Sequence, residues 1–443
     1  MRGGGDDRDW PVPVGRLGRM LRLGGTASGV MGGMVASGAR QLAQGSRPRL
    51  PEVLLTAQTA QRVTRDLRAM RGAAMKLGQM LSMDSGLVLP PEMSEIMAAL
   101  REEARHMPPA QLRDVLDAEW GPGWRRRFAR FEVRPFAAAS IGQVHRARTP
   151  DGRELAIKVQ YPGVRASIDS DIDNLGALLR LPGLVPHGVD LAPLLAEAKR
   201  QLHCEADYGA EAENLRAFRR LLAGSEAFTL PELHPDLSTP RVLAMSFIES
   251  EPLAALAAAP QARRDAAARA LIELVLRELF EFRRMQTDPN LANYRFDPAT
   301  GRILLLDFGA VLTIDPGLAA RFRELLDAAL SQEPDRIDAA MEAVGYVGPA
   351  TPPHHRALIT AMFDTAMAPL RRSEPFDFAD TELIGRLQRM GAALGGERGL
   401  QHVPPAETLF LHRKIGGVYL LAARLGARVS LRPLLEAWRA PAG

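Results

Sequence analysis

The stretch that most constrains the fold is 128–160, because it holds the alternating pattern of β-strands in a chain that is otherwise mostly helical. Asp151-Gly152 stands between two alternating runs, and this dipeptide is a strong signal for a hairpin turn. A run of three alanines and a serine lies upstream at 137–140. The pattern predicts a strand, an alanine-rich turn, a second strand, a hairpin turn and a third strand.

Most of the remaining chain has apolar residues at helical spacing, so an α+β fold is expected. A length of 443 residues indicates two or three folding units, or one bilobal domain with extensions. Four segments are predicted. They are a leader over 1–50, a helical extension over 51–127, a lobe with a sheet and inserted helices over 128–252, and a mostly helical lobe over 253–443.

The charge pattern argues against a nucleic-acid partner. The net charge is +4, and the basic and acidic residues are interspersed rather than gathered into a stripe with aromatic residues. The single cysteine, Cys204, cannot form an internal disulfide bond. Because no cleavable signal pattern is seen, the sequence predicts a reducing compartment, the cytoplasm.

The leader differs from the rest of the chain. No acidic residue occurs over 11–50, and small residues recur every fourth position from Gly25 to Ser37. This spacing allows helices to approach closely in lipid, but the run falls short of the roughly 20 apolar residues that span a bilayer. Two interpretations stay open. One is a flexible leader, and the other is a peripheral contact of residues 11–50 with the inner face of a membrane.

Lys158 is the first candidate for a functional residue. It lies in the strand pattern LAIKVQ, with Ala156 on its face of the strand. The upstream stretch 137–144 aligns with the glycine-rich loop pattern G-x-G-x-x-G-x-V of kinases, with alanine at the first two glycine positions. Such a turn places backbone N–H groups over nucleotide phosphates, and a lysine on the next strand reaches the phosphate oxygens. The predicted nucleotide-binding residues are Ala137, Ala138, Ala139, Ser140, Gly142, Val144 and Lys158.

A second constellation follows a long helical pattern. Asp288 and Asn293 are five residues apart in a loop, which is the spacing of the kinase catalytic Asp and Asn. A buried strand then leads into Asp307-Phe308-Gly309. In this arrangement Asn293 and Asp307 supply oxygen ligands to Mg²⁺, and Asp288 orients or deprotonates the acceptor. The sequence therefore predicts ATP and Mg²⁺ as cofactors.

Each of these features can arise by chance when it is taken alone, but their order along the chain is specific for a kinase-like site. Three stretches resemble the UbiB/AarF/ADCK family of atypical kinase-like proteins. AAMKLGQMLSM matches its K-x-G-Q motif, AAAS its alanine-rich loop, and CEADYGAEAEN its E-x-D motif and the helical glutamate. The matching residues are Lys76, Gly78 and Gln79, then Ala137–Ser140, then Glu205, Asp207 and Glu211.

The resemblance implies a bilobal protein-kinase-like fold with an N-terminal helical extension. It implies that Glu211 pairs with Lys158, and that Lys76 pairs with Glu205 and Asp207 to gate the pocket together with Gln79. Members of the family bind ATP with Mg²⁺, act as ATPases or as small-molecule or lipid kinases, and are linked to ubiquinone biosynthesis. An isoprenoid lipid or quinone precursor is thus an expected partner, whereas the oligomeric state is not predicted.

The catalytic loop departs from the family pattern. The family commonly reads H-x-D-P-H-P-G-N, and the chain reads QTDPNLAN over 286–293, so both histidines are absent. Gln286 can donate and accept hydrogen bonds but cannot titrate near neutral pH. Two other functions therefore stay open. One is a nucleotide-binding pseudokinase scaffold, and the other is a small-molecule phosphotransferase of the aminoglycoside-kinase type, which lacks the K-x-G-Q and E-x-D motifs.

Overall fold

The computed structural model describes residues 106–179, 191–288, 290–396 and 405–439, together with Gly72, Ala73 and Lys76. The predicted leader over 1–50, Gly78 and Gln79 lie outside the described residues. The chain divides into two compact units. The first contains the residues up to Glu213 and Glu232–Phe247, and the second contains Asn214–Pro231 and the residues from Ile248 onward.

The helices of the described residues are numbered here in chain order. They are α1 (Pro109–Trp120), α2 (Val164–Leu179), α3 (Ala192–Glu205), α4 (Tyr208–Leu221), α5 (Gln261–Arg277), α6 (Pro316–Ser331), α7 (Pro334–Val344), α8 (Pro353–Met367), α9 (Glu382–Gly396), α10 (Ala406–Leu425) and α11 (Leu431–Glu436). A π-helical turn, Glu278–Phe282, continues α5.

The strands are numbered in the same way. They are β1 (Arg130–Phe131), β2 (Ala137–Ala138), β3 (Gly142–Arg148), β4 (Glu154–Gln160), β5 (Phe228–Thr229), β6 (Val242–Ser246), β7 (Glu251–Pro252), β8 (Arg284–Gln286), β9 (Tyr294–Phe296), β10 (Ile303–Leu305), β11 (Val311–Thr313), β12 (Phe376–Asp377) and β13 (Arg428–Val429). Their coexistence with the helices confirms the predicted α+β class.

The sheet of the first unit is antiparallel, with strand order β1-β3-β4-β6 and β2 paired to β3. The predicted hairpin connects β3 to β4. Gly152 has a φ of 92°, which is in the left-handed region, and its N–H donates to the carbonyl oxygen of Thr149 at 3.0 Å. The predicted succession of strand, turn, strand, hairpin turn and strand over 128–160 is confirmed, and the structure adds the short strand β2 at the start of the alanine-rich turn.

The core of the first unit lies on one face of this sheet. Leu155, Ile157 and Val159 of β4 are fully buried and belong to the same apolar cluster as α1. Trp120 of α1 adds aromatic packing, with its ring centroid 5.3 Å from that of Phe128. The apolar face fixes the register of β4, so the side chain of Lys158 belongs to the opposite face.

The helical spacing of apolar residues predicts one helix over 191–222, but the structure divides this run into two helices. α3 ends at Glu205 and α4 begins at Tyr208, with Ala206 and Asp207 between them. The interruption separates the two carboxylates of the E-x-D motif, because Glu205 ends one helix and Asp207 precedes the next. Periodicity alone did not reveal this break, since apolar residues continue at helical spacing on both sides of it.

The second unit contains a four-stranded sheet of order β5-β10-β9-β7. Its strand β5 pairs in parallel with β10, with Phe228 opposite Ile303. This pairing is consistent with the grouping of Asn214–Pro231 with the second unit. A strand of two residues is too short to show a sequence pattern.

No helix within the described ranges is long and apolar enough to cross a membrane. The apolar stretch 415–421 is too short to span a bilayer, and it lies within α10.

Candidate functional site

The nucleotide-binding candidates of the first unit centre on an ion pair. The Nζ atom of Lys158 lies 2.9 Å from both carboxylate oxygens of Glu211, and both residues are buried. Glu211 stands in the first turn of α4, where a carboxylate interacts favourably with the helix dipole. The Lys158 ammonium also lies over the Tyr208 ring, with 5.1 Å between Nζ and the ring centroid. Sequence reasoning predicted this pairing through the family resemblance.

The alanine-rich segment forms a tight turn between β2 and β3. Ala137 pairs with Val144 and Ala138 pairs with Gln143, and the Ala139 N–H donates to the carbonyl oxygen of Gly142 at 2.9 Å. A Cβ atom at Gly142 would lie 2.3 Å from the carbonyl oxygen of Val159, so only glycine fits there. The turn is therefore held against β4, the strand that carries Lys158.

A second buried lysine contacts this turn through one carboxylate. The Nζ atom of Lys76 lies 2.6 Å from Glu205 Oε1, and the lysine side chain is 1% exposed. The Ser140 hydroxyl donates to the other oxygen, Oε2, of the same Glu205. A Cβ atom at Gly72 would lie 2.7 Å from the Ser140 carbonyl oxygen, so the helical residues Gly72 and Lys76 approach the alanine-rich turn closely.

Asp207 has a different local role in the structure. Its carboxylate accepts a hydrogen bond from the Ala210 N–H at 3.0 Å, at the beginning of α4. A carboxylate in this position satisfies a backbone donor that the helix leaves unpaired. The residue thereby stabilises the turn that carries Glu211. Gln79, the other predicted gating residue, lies outside the described residues.

The catalytic candidates of the second unit lie in a loop between β8 and β9. The Asn293 side chain donates from Nδ2 to Asp288 Oδ2 at 3.1 Å. The following strands are tied to this loop, since the Leu306 N–H donates to the Asn293 carbonyl oxygen at 3.2 Å. The structure therefore brings Asp288 and Asn293 into direct contact and places Asn293 beside the strand end before Asp307.

The Asp-Phe-Gly segment is anchored on both sides. The Asp307 carboxylate accepts a hydrogen bond from the Gly309 N–H at 2.9 Å, and Phe308 is 1% exposed. The Phe308 ring packs on Phe218, with 4.9 Å between centroids. Beyond the segment, β11 pairs with β8, with Val311 opposite Gln286. This pairing holds the segment next to the beginning of the Asp288 loop.

The chemistry of Asn293 and Asp307 suits a magnesium ion. Both side chains line one small cavity in the second unit, and each offers oxygen atoms, the ligands that this hard cation prefers. Magnesium keeps several waters and phosphate oxygens in its shell, so a site with two protein ligands is typical of nucleotide-bound Mg²⁺. Among the described residues, no group of three or more His, Cys, Asp or Glu side chains forms a metal cage.

A buried polar cluster that sequence reasoning missed lies behind the Asp288 loop. Its members are Glu278, Gln286, Tyr294 and Lys414, and each is less than one tenth exposed. The Lys414 Nζ atom lies 2.9 Å from Glu278 Oε2, and the Gln286 Nε2 atom donates to the Asp288 carbonyl oxygen at 2.8 Å. The sequence showed only that Gln286 replaces a histidine, because nothing local marks Lys414 as buried.

His145 of β3 is a buried histidine next to the alanine-rich turn. Its Nδ1 atom lies 2.8 Å from the Glu132 carbonyl oxygen, and its Nε2 atom lies 2.9 Å from the Gln143 side-chain nitrogen. A neutral ring that donates from Nδ1 and accepts at Nε2 satisfies both contacts. Burial lowers the pKa of His145 to about 4, opposed by the Glu132 carbonyl and supported by His106.

This depressed pKa predicts an acid-side loss of stability. The unfolded chain binds a proton at His145 near pH 6.5, whereas the folded chain does not until about pH 4. Stability from this group is therefore complete above pH 6.5 and decreases as the pH falls to about 4, by up to about 3 kcal/mol. Urea unfolding of the protein and of His145→Gln between pH 4 and 8 tests this. The difference between the two curves should shrink on the acid side, and a constant difference would contradict the prediction.

Known atypical kinases resemble this chain over most of its length. The model of the ABC1 atypical kinase-like domain matches residues 99–341. The chain is 35% identical over 430 residues to the mitochondrial atypical kinase COQ8 of Saccharomyces cerevisiae, covering 96% of this chain and 85% of the relative. It is 36% identical over 439 residues to the mitochondrial atypical kinase COQ8B of Rattus norvegicus, covering 97% of this chain and 81% of the relative.

A solved structure gives the same result for the fold. The complex of Rv3197 with erythromycin from Mycobacterium tuberculosis matches with a TM-score of 0.59 and 27% sequence identity. The match covers 87% of this chain and 97% of the other. The predicted kinase-like fold and the predicted atypical-kinase class are thereby confirmed. The chain belongs to the ABC1 atypical kinase-like family, which is the family that its sequence motifs indicate.

Proposed function

We propose that the protein binds ATP with Mg²⁺ and catalyses ATP hydrolysis or phosphoryl transfer, in support of ubiquinone biosynthesis. The observation that carries the proposal is the buried pair of Lys158 and Glu211, in which both carboxylate oxygens lie 2.9 Å from the ammonium. A pair held in this way points a lysine of fixed orientation at phosphate oxygens. A surface ion pair would lack this fixed geometry.

In this proposal the alanine-rich turn binds the phosphates through backbone N–H groups. Its residues are Ala137–Ser140, Gly142 and Val144. Alanine restricts the positive φ values that glycine allows, so the turn is stiffer than a glycine-rich loop. The Ser140 contact with Glu205, and the Lys76 contact with the same carboxylate, hold the turn further. Lys76, Glu205 and Asp207, together with Gln79, are proposed to gate the site.

In the second unit, Asp307 and Asn293 would hold the magnesium ion, which neutralises phosphate charge when it is bound. Asp288 would accept the proton of the acceptor or orient it. Its carboxylate is already held by the Asn293 amide at 3.1 Å, so the loop fixes the direction of the candidate base. The proposal leaves the acceptor as water or a small molecule.

Nucleotide titration of Lys158→Met tests the phosphate-binding role. We expect the Kd for MgATP to rise by about 10-fold or more, the equivalent of about 1.4 kcal/mol, because a charge-assisted contact to phosphate is lost. Lys199→Met is the matched control, since Lys199 pairs at 2.7 Å with Asp173, whose side chain is 65% exposed. Equal affinity of Lys158→Met and the unchanged protein in calorimetric titration would contradict this role.

The role in ubiquinone biosynthesis rests on the family and needs a cellular test. A Saccharomyces cerevisiae strain without its COQ8 would receive this chain with a mitochondrial targeting segment. We expect recovery of ubiquinone with the unchanged chain and no recovery with Asp288→Asn, measured by chromatography of lipid extracts. If the strain that expresses the unchanged chain contains no more ubiquinone than the strain without COQ8, although the protein is present, this part of the proposal is contradicted.

An isoprenoid lipid or quinone precursor as acceptor, and a peripheral membrane contact through residues 11–50, are further parts of the proposal. The cytoplasmic location also stays a prediction, and the two relatives compared above carry names that place them in mitochondria. Flotation with vesicles of anionic phospholipid, with and without residues 1–50, measures the membrane contact. Equal flotation of both forms would exclude the leader as its cause.

A further inference from the structure

We propose that Lys414, Glu278 and Tyr294 position the Asp288 loop through the side chain of Gln286, and that this cluster controls turnover rather than nucleotide affinity. The proposal rests on the proposed function, because it gives Asp288 the role of the catalytic carboxylate. Gln286, Lys414, Glu278 and Tyr294 are positioning residues, since they act through the loop and not on the substrate.

The charges of the cluster are deeply buried. The Lys414 side chain is 2% exposed and the Glu278 side chain 1% exposed, with 2.9 Å between Nζ and Oε2. Burying two ions costs several kcal/mol, and their attraction offsets this only with good geometry and further hydrogen bonds. Burial lowers the pKa of Lys414, but Glu278 and Tyr294 outweigh it, so the net pKa lies above the ordinary value and the ammonium stays charged. Lys414 therefore remains a cation in a fixed position inside the second unit, next to the Glu278 carboxylate.

This cation fixes the orientation of the Gln286 amide. The Gln286 Oε1 atom accepts hydrogen bonds from Lys414 Nζ and from the Tyr294 hydroxyl, each at 3.3 Å. With its oxygen held by two donors, the amide must direct its nitrogen the other way, towards the Asp288 carbonyl oxygen at 2.8 Å. A rotated amide would place two oxygen atoms against each other, so the donors select one orientation.

The backbone of Gln286 is held at the same time. Its N–H donates to Glu278 Oε1 at 3.3 Å, and β8 pairs with β11 immediately before the loop. Glu278 itself begins a π-helical turn, a feature that is frequent at functional sites. One carboxylate thus holds both Lys414 and the main chain of Gln286.

The cluster also reaches the proposed magnesium ligands. The small cavity that Asn293 and Asp307 line is lined as well by Glu278, Gln286, Tyr294 and Lys414. A packed chain of polar contacts therefore extends from Lys414 to the loop residues that the reaction uses. The pair reaches the loop through Gln286, whose amide contacts Lys414 at one end and donates to the Asp288 carbonyl oxygen at the other.

The closing experiment compares Gln286→Met with Gln286→His and with the unchanged protein. Methionine keeps the length of the side chain but removes all three of its hydrogen bonds, to Lys414, Tyr294 and Asp288. A neutral histidine can still donate from one ring nitrogen and accept at the other. Hydrogen exchange of the 286–294 amides is measured without nucleotide, and kcat and KM for ATP hydrolysis are measured in parallel. Gln201→Met is the control, because Gln201 is also buried but lies in α3 of the first unit.

We expect Gln286→Met to speed exchange of the loop amides by about 10-fold and to lower kcat by about 10-fold, each about 1.4 kcal/mol, with KM changed by less than about threefold. Gln286→His should recover most of both losses, and Gln201→Met should match the unchanged protein. The inference is overturned if Gln286→Met has the same loop exchange rate and the same kcat as the unchanged protein. It is also overturned if Gln286→His does not recover these two quantities.

The two proposals fail in different ways. If hydrolysis does not depend on Asp288, the proposed function fails, while loop exchange still reports on the positioning contacts. If hydrolysis depends on Asp288 but Gln286→Met behaves as the unchanged protein, only the positioning inference fails. Should Gln286→Met not fold, Tyr294→Phe removes a single hydroxyl from the same cluster and is expected to show a smaller change in the same direction.

Discussion

Replacement of Asp288 by asparagine is expected to lower kcat for Mg-dependent ATP hydrolysis by about 100-fold or more, because a positioned general base contributes about 10²–10⁴-fold. Asparagine has nearly the same shape but cannot accept a proton. The Asn293 side chain, which donates to the Asp288 carboxylate at 3.1 Å, keeps an oxygen partner after the change. A steady-state phosphate-release assay at saturating MgATP measures this effect.

Asp335→Asn is the control for the loss of a carboxylate. Asp335 is exposed in the first turn of α7, away from the Asp288 loop in sequence, and its replacement should leave kcat unchanged. Equal background rates for the unchanged protein and Asp288→Asn would instead favour the nucleotide-binding scaffold. An active enzyme that prefers hydrophilic amines as acceptors would favour the phosphotransferase of the aminoglycoside-kinase type.

Lys414→Met alone is expected to lower the free energy of unfolding by about 3–5 kcal/mol, because it leaves the Glu278 carboxylate buried without its cation. Both side chains are almost fully buried, so water cannot replace the lost partner. The double variant Lys414→Met with Glu278→Gln removes both charges and keeps an acceptor for the Gln286 N–H. Its stability should return to within about 1 kcal/mol of the unchanged protein.

Urea unfolding of the single and double variants gives these values from the transition midpoints. Arg356→Met is the control, because Arg356 pairs with Asp338 and Glu342, whose side chains are 46% and 43% exposed. An exposed pair contributes about 0–1 kcal/mol, so this variant should change little. A double variant as unstable as Lys414→Met would mean that lost packing, and not the unpaired carboxylate, causes the effect.

Local patterns predicted much of the fold. The Asp151-Gly152 turn and the alternation around Lys158 gave the hairpin, because a tight turn and a period of two residues are encoded by neighbours in sequence. The spacing of Asp288 and Asn293 indicated that both lie in one loop, and the structure shows in addition a hydrogen bond between their side chains. These features depend on few residues that lie close together in the chain.

Contacts between distant segments could not be predicted in the same way. Lys414 and Gln286 are 128 residues apart, and the sequence around Lys414 is that of an ordinary helix with a basic residue. The break between α3 and α4 was also missed, and a residue distant in sequence contacts it, since the Gln160 side chain donates to the Ala206 carbonyl oxygen at 3.0 Å. Burial of a charged residue depends on a partner that the sequence does not mark.

The single carboxylate of Glu205 has a consequence for how this protein can vary. One oxygen holds the ammonium of Lys76 and the other holds the hydroxyl of Ser140, so three segments share one acceptor group. Substitutions at these positions should be tolerated in concert rather than singly, because residues in direct contact are coupled by about 0.5–3 kcal/mol. The three sites are therefore expected to diverge together among descendants of a common ancestor.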